Sequence, residues 1–311
     1  MNKESIELRD DYILELKSRG RSVGTIKQYT GDINKMYKWI DEVYGDVSIL
    51  TLKRKSFRNY FLMLQEDEIS NARINRFMSS IRNLLEYATE EDDTYPDYIQ
   101  NPMKKIKSLE KIPTKEIVFL TNEQIEFLLD YLIKHNRIQH ALYLSLSYDS
   151  ACRRAEALQV EKHSFLDDDV FMTNKVKSKG NKQYHLMYSS YTRDLARQHL
   201  EGRTDDLDTL WITNRQDPRP VSSNTLYSWA ISFREILKEE YGEDIPLNSH
   251  SIRHTSLQCY SDMTHRNLKN MGVEKLDLNM LKILANHSNV STTEGYLKNT
   301  DLDKLNQLFG N

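Results

Sequence analysis

Residues 249–256 read SHSIRHTS, a polar run that carries His250, Arg253 and His254. On a helix, positions three apart share a face, so His250 and Arg253 aim an imidazole and a guanidinium at one point. Alone, this cluster reads equally well as a solvated surface. Farther on, LANHSNVSTTEGYLK over residues 284–298 sets His287 nine residues before Tyr296, with a turn-rich stretch between them. A single tyrosine in such a place is ordinarily a packing residue. Upstream, SACRRAEALQV over residues 150–160 sets Arg153 three residues before Glu156, by itself a common helix ion pair. Between these segments lies KSKGNK, residues 177–182, where Lys179 directly precedes Gly180. It reads as a hairpin tip. Asp167-Asp168-Asp169 supplies a turn, Val170-Phe171-Met172 an apolar run and Tyr184-His185-Leu186-Met187 the returning strand.

Composition narrows the classes. The 311 residues carry 43 basic and 46 acidic side chains, a formal net charge of −3. At 39% hydrophobic and 10% aromatic, the chain is too apolar to be disordered. Its length suggests two domains of ordinary size. The two cysteines, Cys152 and Cys259, show no metal-ligand spacing, so neither a disulfide framework nor a zinc site is expected. No apolar run approaches the ~18 residues of a membrane span, and the opening MNKESIELRD is charged where a leader would turn apolar. These features lead to the expectation of a soluble, cytoplasmic protein with no membrane partner. Taken as a global sum, the net charge lends no support to a nucleic-acid partner.

The first hundred residues read as a helical module. After Ser22, a candidate N-cap, Val23, Ile26, Tyr29, Ile33, Met36, Tyr37 and Ile40 recur at helical spacing. Phe57, Tyr60, Phe61 and Leu64 mark a shorter helix, and Ile74, Phe77, Met78, Ile81, Leu84, Leu85 and Ala88 form a stripe after Ser70. Lys27, Gln28, Arg73, Asn75 and Arg76 fall on the polar faces and are candidates for a surface facing DNA. Any one of them taken singly is more simply a solvated helix position. Lys104, Lys105, Lys107, Lys111 and Lys115 make residues 104–117 the sole net-positive stretch, at +3. Such a linker suits a phosphate backbone, where each neutralised phosphate releases counterions. The expected organisation is a helical domain over 1–103, a basic linker over 104–117 and a second domain over 118–311. The second domain opens on Thr121 with Gln124 at the capping-box position, and helical patterning resumes from Ser222 to Tyr241. Leu302, Leu305, Leu308 and Phe309 form a short amphipathic tail.

In order and spacing, Arg153 with Glu156, Lys179 in its glycine hairpin, His250 and Arg253 in HSIRH, His287 and Tyr296 resemble the tyrosine recombinase (phage integrase) family. The resemblance spans the whole chain. HSIRH and the segment from His287 to Tyr296 are its specific parts. It implies a mainly α fold, in which a helical core-binding domain clamps DNA and a catalytic domain combines helices with a small antiparallel β-sheet. It also implies a site-specific recombinase that cuts and rejoins double-stranded DNA through a 3′-phosphotyrosyl intermediate. The assembly would be a homotetramer on DNA, in which the C-terminal tail is exchanged between subunits or caps its own domain. No cofactor or metal is implied. The setting would be the cytoplasm of a bacterium or phage-infected host, at the nucleoid.

The chemistry accounts for these residue types. A covalent intermediate conserves the phosphodiester energy, and a phenol, with a pKa of about 10, attacks and leaves with comparable ease. Two permanently charged guanidiniums, Arg153 and Arg253, suit the charge that builds on the non-bridging oxygens. By resemblance, Lys179 protonates the departing 5′-oxygen, His250 is an acid–base partner of Tyr296, and His287 donates a hydrogen bond to the phosphate. Arg154 adjoins Arg153, but only Arg153 stands at the family's spacing from Glu156; Lys177 and Lys182 flank Lys179, which alone precedes the glycine. Asn286 stands where the family commonly has glycine, and asparagine tolerates the left-handed backbone such a turn needs. A second reading keeps the fold without the reaction, as a sequence-specific DNA-binding protein such as a phage or mobile-element repressor. Small-molecule phosphoryl transfer is disfavoured, since no phosphate-cradling glycine loop is present.

Overall fold

The computed structural model describes residues 1–110, 117–178, 181–214, 216–270 and 276–297, with the side chains of Lys269 and Asn270 left aside. Two compact units divide the chain, Met1–Glu116 and Ile117–Asn311. Among the described residues no helix is long and apolar enough to cross a membrane.

The first unit is helical. Helix α1 (Lys3–Ser18) starts where the Asn2 side chain accepts the Ser5 N–H, and α2 (Val23–Tyr44) where Ser22 accepts the Thr25 N–H. Helix α3 (Arg54–Glu66) is followed by α4 (Asn71–Glu90), capped by Ser70. Side-chain oxygens thus satisfy N–H groups that a helix start leaves unpaired. The apolar stripes close on one core of Leu8, Ile33, Met36, Phe57, Tyr60, Leu64, Phe77, Ile81 and Leu84, all essentially buried. Within the stretch expected to form a linker, residues 106–110 are hydrogen-bonded to this unit. Arg82 donates to the Ile106 carbonyl at 2.9 Å, and the Asn75 amide takes both the N–H and the carbonyl of Leu109 at 2.7 and 2.8 Å.

The second unit opens with α5 (Asn122–Lys134), under the capping box of Thr121 and Gln124. Helix α6 (Ile138–Ser150) is buried without interruption from Ala141 to Ser150 and forms the axis of the unit. A helix covered on all sides is a core helix. The short α7 (Arg154–Ala157) leads into the antiparallel hairpin of β1 (Met172–Lys177) and β2 (Gln183–Met187). Strand β1 begins at Met172, two residues later than the apolar run suggests, and its register shifts between Met172 and Lys175. Helices α8 (Ser190–Leu200), α9 (Ser223–Tyr241) and α10 (Ser249–Ser261) pack around α6, and α11 (Leu278–Leu284) and α12 (Val290–Glu294) follow. The architecture is mainly α, with a helical N-terminal domain and a second domain bearing one small two-stranded sheet.

Asp149, near the end of α6, fastens the axis. Its carboxylate accepts the Ser189 N–H at 2.9 Å, the Ser189 and Thr192 hydroxyls, and Arg266 Nε and Nη2 at 3.0 and 2.7 Å. Removing one side of a buried, hydrogen-bonded ion pair leaves a charge without compensation. Asp149→Ala is therefore expected to lower unfolding stability by about 3–5 kcal/mol, read as a shifted denaturant midpoint. A loss below about 1 kcal/mol, the value of an exposed pair, would contradict this role.

Candidate active site

The site forms where three chain segments meet the first turns of α10. Helix α6 ends at Ala151, whose φ of 48° lies in the left-handed region and turns the chain toward Arg153. Arg153 caps α7: its backbone N–H and its Nη1 both bond to the Glu156 carboxylate, at 2.6 and 3.0 Å. Glu156 is 1% exposed, so this is a buried brace for the guanidinium rather than a surface pair. Arg154 points elsewhere, its guanidinium 5.0 Å from the Tyr227 ring. Arg153, and not Arg154, is the arginine bonded to Glu156.

Arg253 is 1% exposed. It donates from Nη1 to the Ala151 carbonyl and from Nη2 to the Ala285 carbonyl at 2.8 Å and to His287 Nε2 at 2.6 Å. Its Nε is buried with no partner among the described residues. Burial, with Arg153 nearby, lowers the pKa of Arg253 from its ordinary value. The Tyr296 ring lies against the same guanidinium, 5.0 Å from its carbon. His254 stacks on Tyr296 at 4.3 Å between centroids, and its Nδ1 is 3.0 Å from the Tyr296 carbonyl. On the other side, His287 lies 4.9 Å from the Tyr296 ring. The half-buried tyrosine therefore covers the guanidinium between two imidazoles.

His287 is engaged on both ring nitrogens within the fold. Arginine has no acceptor, so Nε2 accepts from Arg253 and the proton sits on Nδ1. That nitrogen is 2.9 Å from the Thr293 hydroxyl, which leaves this state of the ring with no N–H for a phosphate. Burial first, then Arg253 and Arg153, pushes the His287 pKa down to about 4. The Asn286 turn before it forms as expected, with φ at 48°. His250 sits in the first turn of α10 with an exposed side chain. Its pKa is lowered by partial desolvation and by the neighbouring His254, Arg253, Arg153 and Arg154. Lys179 lies outside the described residues; the chain on either side closes with the Ser178 N–H bonded to the Lys182 carbonyl at 2.8 Å.

The sequence named His254 only as part of its motif and left Thr293 unnoticed. The i to i+4 relation of His250 and His254 was the available signal for the former. In the first unit, Lys27, Gln28, Lys105 and Lys107 are exposed. Three other candidates are engaged within the fold. Asn75 holds Leu109, Arg76 forms two bonds to the buried Asp32 at 2.9 and 3.2 Å, and Lys104 pairs with Glu86 at 2.7 Å. Arg73 is half-exposed, 3.9 Å from Asp32 and over the Phe77 ring.

Three desolvated imidazoles, His265 and His287 buried and His140 half-buried, couple stability to pH. Burial depresses His140, His265 and His287 to about 4. In the unfolded chain each takes up a proton near pH 6.5. Between these values the unfolded state binds more protons, so stability present above pH 6.5 is lost as pH falls toward 4. Melting temperature measured across that window should fall steeply, and a flat profile would contradict the neutral, desolvated rings.

The Phage integrase family matches residues 118–302, and the Phage integrase N-terminal SAM-like domain matches residues 10–92. Tyrosine recombinase XerC of Treponema denticola is 24% identical, over 92% of this chain and 91% of the relative. Tyrosine recombinase XerA of Thermococcus kodakarensis is 25% identical, over 96% and 92%. In fold, the chain resembles the XerH site-specific recombinase bound to a palindromic difH substrate, with a TM-score of 0.69 at 17% identity over 94% of this chain and 81% of that one. It also resembles a lambda integrase (75–356) dimer bound to a COC′ core site, with a TM-score of 0.68 at 14% identity over 93% and 94%. A helical second domain that gathers arginines, histidines and a tyrosine at one point has the architecture of the tyrosine recombinases. This chain belongs to the phage integrase family.

Proposed function

We propose that the protein is a site-specific DNA recombinase that breaks and rejoins strands through Tyr296. The observation that carries this reading is the Tyr296 ring held over Arg253 between His254 and His287. In the reaction, a phosphate takes the place of the ring against the guanidinium, and the Tyr296 oxygen attacks phosphorus. A 3′-phosphotyrosyl bond forms and a 5′-hydroxyl is freed to attack a partner strand. Arg253, with its unpaired Nε, and Arg153, braced by Glu156, stabilise the charge on the non-bridging oxygens. His250 accepts the phenol proton, and Lys179 protonates the leaving 5′-oxygen. His287 acts through Arg253, whose fork it holds in place.

The duplex is bound by the second domain around this site and by Lys27, Gln28, Arg73, Lys105 and Lys107 of the first. A net charge of −3 makes that binding depend on local positive surfaces rather than on the whole chain. Exchange between two duplexes requires four active sites, hence a homotetramer on DNA in the cytoplasm. The tail residues Leu302, Leu305 and Leu308 lie outside the described residues, and their docking on a neighbour belongs to the same proposal.

The test uses a target recovered by selecting bound duplexes from a random-sequence pool. A nicked version, from which the short cleaved strand diffuses away, should accumulate a protein–DNA adduct that survives denaturant. Specific binding without any adduct would overturn the recombinase reading in favour of the repressor-like binder.

A further inference from the structure

Gln159 follows the end of α7 by two residues, and its side chain reaches the strand that runs into the Lys179 hairpin. Its Oε1 accepts the Lys177 N–H at 2.9 Å, and its Nε2 donates to the Lys177 carbonyl at 3.0 Å. The amide thereby satisfies both backbone groups of Lys177, as the peptide of a third strand would. The second Nε2 hydrogen anchors the amide to the Ala155 carbonyl at 2.7 Å. The grip is doubled upstream, where Asn174 donates from Nδ2 to the Gln159 carbonyl at 3.0 Å.

One short segment of chain therefore serves two ends. Glu156 braces Arg153, and Gln159 fixes the strand residue that stands two positions before Lys179. We propose that Gln159 is a positioning residue, holding the end of β1 at Lys177 to the segment that carries the Arg153–Glu156 brace, on which delivery of the Lys179 proton to the leaving oxygen depends. The inference rests on the recombinase reading. In cleavage the Tyr296 oxygen bonds to phosphorus while its proton passes to His250. The P–O5′ bond breaks, its electron pair stays on O5′, and O5′ takes a proton from the Lys179 ammonium, leaving a neutral amine. Religation reverses each transfer.

A bridging sulfur in place of O5′ separates positioning from general damage. Thiols ionise near pH 8.5, far below aliphatic hydroxyls, so a thiolate departs without the lysine's proton. Gln159→Met in the full chain is expected to cleave the ordinary nicked duplex on the order of 10- to 100-fold more slowly. On the 5′-phosphorothiolate duplex it should stay within about threefold of the unaltered protein. Gln159→Glu, isosteric and still able to accept the Lys177 N–H but repelled by the Lys177 and Ala155 carbonyls, should show the same partition. Arg153→Ala should be slow on both duplexes, because the charge on the non-bridging oxygens is the same in each. Equal losses on both duplexes for the two Gln159 variants, or no loss on either, overturn the assignment. Absence of an adduct from the unaltered protein on both duplexes overturns the recombinase reading, and the inference with it.

Discussion

Tyr296→Phe is expected to bind its duplex with unchanged affinity and to form no covalent adduct, a loss of at least about 10⁴-fold. The substitution removes one oxygen and keeps the ring. That ring makes the contacts that shape the site: stacking on His254 at 4.3 Å, packing on His287 at 4.9 Å and covering Arg253 at 5.0 Å. It also rests on the small apolar cluster of Ala151, Leu257 and Ala285. None of these needs the hydroxyl, so the fold and the His254 contact to the residue 296 carbonyl persist. Only the nucleophile is lost. The measurement is adduct yield on the nicked duplex beside a filter-binding or fluorescence titration. Residual adduct near the original level would move the nucleophile to another residue.

The second large effect concerns Arg253→Lys. Arginine here reaches three acceptors that lie apart, the Ala151 and Ala285 carbonyls and His287 Nε2. It thereby ties the end of α6 and the end of α11 to α10. A lysine ammonium keeps the charge but lacks the planar fork that spans them. The cleavage rate should fall on the order of 10²–10³-fold, as for loss of one preorganised donor at a developing charge. Stability should fall too, by about 1–3 kcal/mol for each buried acceptor left unpaired. Rate and melting temperature must drop together, because the same bonds orient the guanidinium and join the helices. A slower variant with an unchanged melting temperature would show that the three bonds do not hold the segments together.

Much of the fold was legible because its signals are local. Ser22, Ser70 and Thr121 do cap the helices that follow them, and the apolar stripe after Ser70 does face the first core. Capping and periodicity act within a few residues, which is the range that a sequence displays directly. The contacts of the basic stretch were not legible, for the opposite reason. Its lysines are visible in the sequence, but the Arg82, Asn71 and Asn75 side chains that hold residues 106–110 lie well upstream in the chain. At the site, order and spacing named Arg153, Glu156, Arg253, His287 and Tyr296 as candidates, and the fold brings Arg153 onto Glu156 and both His287 and Tyr296 onto Arg253. Nothing in them indicated that His287 would serve as an acceptor for Arg253.

By itself, the sequence determined which candidate groups for phosphate chemistry this chain carries and the order in which they follow one another. Residue type and short-range periodicity suffice for that. Tertiary structure decided what each group is bonded to. It turned the His287 proton toward Thr293, committed Asn75 and Arg76 to the fold, and set the Gln159 amide on Lys177. Hydrogen bonds between distant segments depend on how helices pack, and the direction of a proton follows from whichever donor or acceptor packing brings near.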